Sequence, residues 1–185
     1  MIDPQVGARL VRYARARVRE ALGGPPAHPP DDPIGAAPGA AFVTLRRKTD
    51  GRLHGCIGSL EPRRPLVSDV AENAVAAALE DPRAPTIELE DVDDLEVELS
   101  VLSPLEKLPA APTEREAFAL VDARRGGIVL RWHGRRATFL PQMWDRMTGV
   151  REFLDELRMK AGLAPDFWAP DVELYRYTVE EFHDP

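Results

Sequence analysis

Residues 95–102 read Leu-Glu-Val-Glu-Leu-Ser-Val-Leu, an alternation of apolar and polar side chains. A period of two puts Leu95, Val97, Leu99 and Val101 on one face and Glu96, Glu98 and Ser100 on the other, so this stretch predicts a strand with one buried face. A different period runs through residues 3–22. Val6, Leu10, Tyr13, Ala14, Val18 and Ala21 recur at helical spacing. Asp3 can cap this helix, and Pro4 suits its first turn, where a missing N–H costs nothing. Residues 66–80 predict a second helix, whose Val67, Val70, Ala71, Ala74, Val75 and Ala78 form a small-residue face that allows close approach; Asp81-Pro82 ends it. Two further helices are expected. One covers 113–121, with Thr113 capping and Glu116 reaching back; the other covers 149–162, with Phe153, Leu154, Leu157 and Ala161 as its stripe and Gly162 near its end.

Turn chemistry supplies the hairpins. Ala41 to Lys48 and Arg52 to Ile57 flank Asp50-Gly51, and Gly127 to Trp132 and Arg135 to Leu140 flank His133-Gly134. Val172 to Val179 predicts the last strand, followed by an acidic tail. Gly23 to Gly39, rich in proline, reads as a loop. Strands and helices do not alternate as βαβ units, so the expected class is α+β, a mixed or antiparallel sheet flanked by helices. The chain shows no internal repeat. It reads as one domain over 1–185, with Ser103 to Pro112 as a connection between a larger and a smaller lobe.

Composition narrows the setting. A chain of 185 residues can bury about 70% of its unfolded surface, enough for a core without staples. The formal charge of −7 argues against broad nucleic-acid backbone binding, which needs net basic surface. Arg9, Arg12, Arg15 and Arg19 on the first helix then read either as an anion stripe or as a solvated surface. The single cysteine excludes an internal disulfide and suits a reducing compartment. No apolar run is long enough to cross a membrane, and no basic-then-apolar leader opens the chain. A cytoplasmic protein is expected.

The candidate chemistry centres on His54-Gly55-Cys56-Ile57-Gly58. Glycine is needed where backbone bends or where something approaches closely, and Gly55 and Gly58 bracket the thiol. By period two, His54 and Cys56 share a strand face, where their side chains can meet. A thiol near a strand end and near Arg52, Arg63 and Arg64 is a candidate nucleophile; a buried space-filling cysteine is the competing reading. The four histidines are scattered, with no metal-ligand spacing, and Gly126-Gly127 lacks the rest of a phosphate loop. No cofactor is read from the chain. Glu96 and Glu98 either line a site, where a carboxylate acts as base, or form a solvated sheet face. Gln142, in Phe139-Leu140-Pro141-Gln142-Met143-Trp144, either recognises a ligand's polar edge or ties down loop carbonyls.

Taken together, these segments resemble the AMMECR family, called AmmeMemoRadiSam system protein A in prokaryotes. Its hallmark Leu-Arg-Gly-Cys-Ile-Gly matches Leu53-His54-Gly55-Cys56-Ile57-Gly58. Asn73-Ala74, Ala76-Ala77-Ala78, Asp81-Pro82-Arg83, Leu99 to Pro104, Phe139-Leu140-Pro141-Gln142 and Lys160-Ala161-Gly162-Leu163 follow in the family's order. The chain departs from the pattern at His54 (arginine in the family), Ala84 (an aromatic) and Arg158 (often a second cysteine). The resemblance implies a two-lobed α+β fold with the hallmark near a cleft. It also implies association with a Memo-like protein and a radical SAM protein. It defines no activity. Two functions are therefore carried: an enzyme or enzyme subunit acting on a small molecule, with Cys56 and His54 catalytic and Gly55, Gly58, Arg83, Glu98 and Gln142 binding, or a non-catalytic adaptor for those two partners.

Overall fold

Helix α1, Pro4–Ala21, begins where the Asp3 carboxylate accepts the Gln5 N–H at 2.7 Å, which satisfies one of the orphan donors of the first turn. It buries Val6, Leu10, Val11, Ala14 and Val18. A computed structural model describes residues 1–123 and 125–184, and divides them into two units: Met1–Leu102 with the stretch from Glu180 onward, and Ser103–Val179. In the first unit, α1 is followed by the short α2 (Pro33–Ala36), β1 (Pro38–Gly39), β2 (Ala41–Arg47), β3 (Leu53–Gly58), β4 (Arg64–Pro65), α3 (Leu66–Leu79) and β5 (Leu95–Leu102). Strands β1 and β4 pair by themselves.

The second unit holds β6 (Glu106–Lys107), α4 (Glu114–Ala123), β7 (Gly127–Trp132), β8 (Arg135–Phe139), a 3-10 turn over Pro141–Arg146, α5 (Val150–Lys160) and β9 (Glu173–Tyr177). Its strand order is β6-β9-β7-β8, and its ladders are antiparallel. The expected capping of α4 is formed: Thr113 N–H donates to Glu116 at 2.9 Å, and Glu116 N–H to Thr113 Oγ1 at 3.3 Å. His133 (φ 43°) and Gly134 (φ 80°) make the β7–β8 turn, both with the positive φ that such a two-residue turn requires. Ile128, Leu130, Phe153, Leu154, Leu157 and Leu174 form the core. Arg158 is fully buried in this unit. Its guanidinium donates to Leu154 O at 3.1 Å, Glu114 at 2.7 Å and Phe167 O at 3.0 Å, and also bonds Asp155.

One expectation fails informatively. The acidic stretch after Val179 is not a tail: Val179–His183 forms β10, which completes the first unit's sheet in the order β10-β5-β2-β3. Phe182 lies against Gly7 of α1, where a Cβ would collide with its ring. The Asp184 carboxylate takes Arg15 of α1 and the Val97 N–H, the latter at 3.0 Å. Three further arginines of α1 are likewise held by carboxylates, Arg9 by Asp32 at 2.8 Å, Arg17 by Glu20 and Arg19 by Asp93, while Arg12 is exposed. Of the four arginines of the expected stripe, Arg9, Arg15 and Arg19 are thus ion-paired within the unit. No described helix is long and apolar enough to cross a membrane.

Candidate functional site

The first sheet has two unlike faces. Ala41, Val43, Leu45, Val97, Leu99 and Val101 turn to α1 and α3 and form the core with Leu10, Ala14, Val70, Ala74 and Ala77. The alternate residues Phe42, Thr44 and Arg46 of β2 and Glu96, Glu98 and Ser100 of β5 belong to the reverse face. Register places Thr44 opposite Cys56 on one side and Glu98 on the other. A single row across three strands thus reads Glu98–Thr44–Cys56, the Cys56 strand lying at the sheet edge.

Geometry within this row is specific. Thr44 Oγ1 donates to Cys56 Sγ at 3.2 Å, and the thiol is half-buried. Arg46 Nε lies 3.3 Å from Glu98 Oε2, and His183 Nδ1 lies 4.0 Å from Oε1. Both partners of the Arg46–Glu98 pair are partly exposed, so the pair orients more than it stabilises.

Close packing accounts for glycine at both Gly55 and Gly58. A Cβ on Gly55 would collide with the Ala77 carbonyl of α3, and one on Gly58 with the Phe42 ring. The small-residue face of α3 and the glycine in β3 together let helix and strand approach at backbone distance.

His54 is not where the two-residue alternation puts it. Leu45 pairs with Gly55 and Arg46 with Leu53, so His54 is the extra residue of a β-bulge. The bulge turns His54 as well as Gly55 toward α3: its ring is 1% exposed and Nε2 donates to Ala78 O at 3.0 Å. Nδ1 has no hydrogen-bond partner among the described residues. The shared His54–Cys56 face is not formed. Period two holds only while the ladder is regular, and nothing in the residues announces the bulge.

Asp81 and Arg83 complete the surroundings of the thiol. Asp81 lies just beyond the end of α3, with its side chain 2% exposed. Its Oδ2 accepts the Cys56 N–H at 2.9 Å and Arg83 Nη2 at 2.7 Å; its Oδ1 accepts the Arg83 N–H at 2.9 Å and Nε at 3.0 Å. The Arg83 fork first, and then the backbone donors of Cys56 and Arg83, hold this carboxyl well below the usual carboxylate range, against the opposing effect of burial. A second buried carboxylate, Asp69, collects the Ala41 N–H at 2.9 Å, Ser59 Oγ at 2.7 Å, Arg64 Nε at 2.8 Å and Asn73 Nδ2 at 2.9 Å. It anchors the chain leaving β3.

Of the residues read from sequence, Cys56, Arg83, Glu98, Gly55, Gly58 and His54 belong to the first unit, and Gln142 to the second, exposed on the Pro141–Arg146 turn. Two residues were not foreseen. Thr44 passes as an ordinary strand former, and its role emerges only from register. Asp81 reads as a helix stop; the Asp81-Pro82-Arg83 spacing was the available signal, since an aspartate two residues before an arginine can take both its backbone and its side chain. Among the described residues, no three His, Cys, Asp or Glu side chains gather as metal ligands.

Comparison with known proteins shows the lineage of the chain. The family model AMMECR1 matches residues 11–182. A protein of Methanothermobacter thermautotrophicus is 37% identical over 96% of this chain and 94% of its own length. Protein MJ0810 of Methanocaldococcus jannaschii is 36% identical over 100% and 92%. The crystal structure of the uncharacterized protein PH0010 from Pyrococcus horikoshii superposes with a TM-score of 0.87 at 36% identity, covering 98% of this chain and 93% of that one. None of these names carries an activity. With the family model spanning nearly the whole sequence, and a solved α+β relative matching in shape, the chain belongs to the AMMECR1 family.

Proposed function

We propose that Cys56 is the reacting group of a small-molecule site on the first unit, in an enzyme or enzyme subunit. The observation that carries this reading is the polar setting of the thiol. A cysteine that only fills space sits among apolar atoms. Cys56 instead has a hydroxyl on its sulfur and a backbone N–H clamped by a buried carboxylate that also holds an arginine. The Thr44 hydroxyl can follow the sulfur through a reaction, accepting from a thiol and donating to a thiolate. Glu98, held by Arg46, lines the same face and supplies a polar contact for a ligand. Gly55 and Gly58 act through packing, and His54 through its bond to α3, so neither catalysis nor ligand contact is assigned to them.

Native-state alkylation with iodoacetamide across pH tests this. Cys56 in folded protein should react at a rate comparable to or above that of glutathione, and Thr44→Val should slow it several-fold while Cys56→Ser abolishes labelling. A thiol modified only in denaturant would overturn the reading. It would leave the adaptor for a Memo-like or radical SAM protein as the alternative.

A further inference from the structure

Arg83 has an unusual division of exposure. Its side chain is 60% exposed, while the carboxylate that holds it is 2% exposed. An ordinary surface ion pair loses side-chain entropy and floats. Here the anchor is buried, and both of its oxygens are occupied by four donors from Cys56 and Arg83. Asp81 has no capacity left for a ligand and acts as a fixed clamp. Nε and Nη2 of Arg83 are spent on it; for Nη1 no partner occurs among the described residues. A planar guanidinium fixed on one edge presents its other edge in a set direction, the arrangement that suits a carboxylate or phosphate. One atom, Asp81 Oδ2, bonds both the Cys56 N–H and Arg83 Nη2, so the guanidinium stands beside the backbone of the thiol residue. Arg83 is also held above its ordinary range, by its bond to Asp81 first, against the opposing effect of burial.

We infer that Arg83 is an anion-recognition residue for the Cys56 site, and that the site takes a small molecule carrying a carboxylate or phosphate group near the atom that meets the sulfur. This rests on Cys56 being the reacting group. The buried Asp81 is then a positioning residue, which ties guanidinium and thiol to the same point of the backbone.

Two alkylating reagents that differ only in charge separate the ideas. In each, the thiolate displaces iodide: a sulfur–carbon bond forms, the carbon–iodine bond breaks, and iodide leaves. Iodoacetate carries the carboxylate that Arg83 should attract; iodoacetamide is neutral. The ratio of iodoacetate to iodoacetamide rate constants at Cys56 in native protein should exceed that of glutathione by up to about fivefold, the ceiling set by one opposite charge at contact range before the neighbouring Asp81 charge is counted. The excess should shrink as ionic strength rises from about 0.01 M to 1 M. Inorganic phosphate or acetate should slow iodoacetate and leave iodoacetamide unaffected; the stronger competitor tells which oxyanion the site prefers. Arg83→Gln should bring the ratio to the glutathione value, and Arg83→Lys should keep part of the excess. A wild-type ratio equal to that of glutathione overturns the inference while leaving the reactive thiol standing, and needs no variant that must fold. Failure of both reagents on native protein brings down the thiol reading and this inference with it.

Discussion

The two units spend buried polarity differently. In the first, Thr44, His54, Asp69, Asn73, Asp81 and Ser100 are buried; in the second, Thr138, Arg158 and the hydroxyl-bearing Tyr177 are, among the described side chains. Polar groups removed from water cost stability unless satisfied, and satisfied networks fix one arrangement. The first unit's set surrounds β3 and the start and end of α3, where Cys56 is held. The second unit's smaller set serves its own packing: Thr138 Oγ1 lies 2.8 Å from Ile128 O and 2.9 Å from the Tyr177 hydroxyl, and Arg158 joins α5 to α4 and the 167 loop. The second unit is instead rich in aromatic packing, with Trp144 stacked on Phe153 at 3.9 Å and Trp132 tilted against Phe167 at 4.5 Å. The lesson is that concentrated buried polarity, more than hydrophobic packing, marks the unit where chemistry is expected.

All three tryptophans lie in the second unit, so their fluorescence reports on that unit while Cys56 labelling reports on the first. The largest expected effect is at Arg158. Arg158→Ala leaves Glu114 and Asp155 without their buried partner and should cost about 3–5 kcal/mol in denaturation followed by tryptophan fluorescence. Arg158→Met, which keeps volume, should cost less. An equal cost for both would show that the polar network alone carries the loss; an Arg158→Met protein as stable as wild type would show that the network is incidental to packing.

Next comes Gly55→Ala. Its Cβ would meet a helix carbonyl rather than a flexible side chain, so a loss of about 3 kcal/mol is expected, the upper range for overpacking. Gly134→Ala is the matched control in the second unit. It meets nothing within 4 Å but keeps φ at +80°, and should cost about 1 kcal/mol. A silent Gly55→Ala would mean that α3 and β3 can separate freely and that their close approach does not hold the Cys56 strand in place.

The smallest effect is titratable. Because Asp81 is held below its ordinary value, its ionised form stabilises the fold at pH above about 4. That contribution fades as pH falls from there toward the lowered folded-state value. Asp81→Asn should cost about 2 kcal/mol at neutral pH and should lose stability less steeply than wild type between about pH 4 and 2. Parallel acid curves for the two proteins would remove Asp81 from the account.

Sequence made the local elements legible wherever a cap or a turn residue stood at the boundary: Asp3 before α1, Asp50-Gly51 between β2 and β3, Thr113 before α4, His133-Gly134 between β7 and β8. It also singled out Cys56, Arg83 and Glu98. What it hid depends on long-range register. Thr44 gains its role from the residues on either side of it in neighbouring strands, and His54 loses its expected neighbour to one extra residue in a ladder. Strand β10 went unread because Val179-Glu-Glu-Phe-His offers just two apolar side chains, and its partner β5 lies some eighty residues earlier.

That strand has a consequence for how the protein is made. The sheet that carries Cys56 opens with residues from the first half of the chain and closes with the last few described here, so the ribosome must deliver all of Ser103 to Thr178 before the edge beside β5 is covered. Until then β5 presents an open row of backbone donors and acceptors, the kind of edge that recruits other chains. Nascent protein is therefore most exposed to mispairing late in translation, and trimming a handful of residues past Val179 would make that transient exposure permanent.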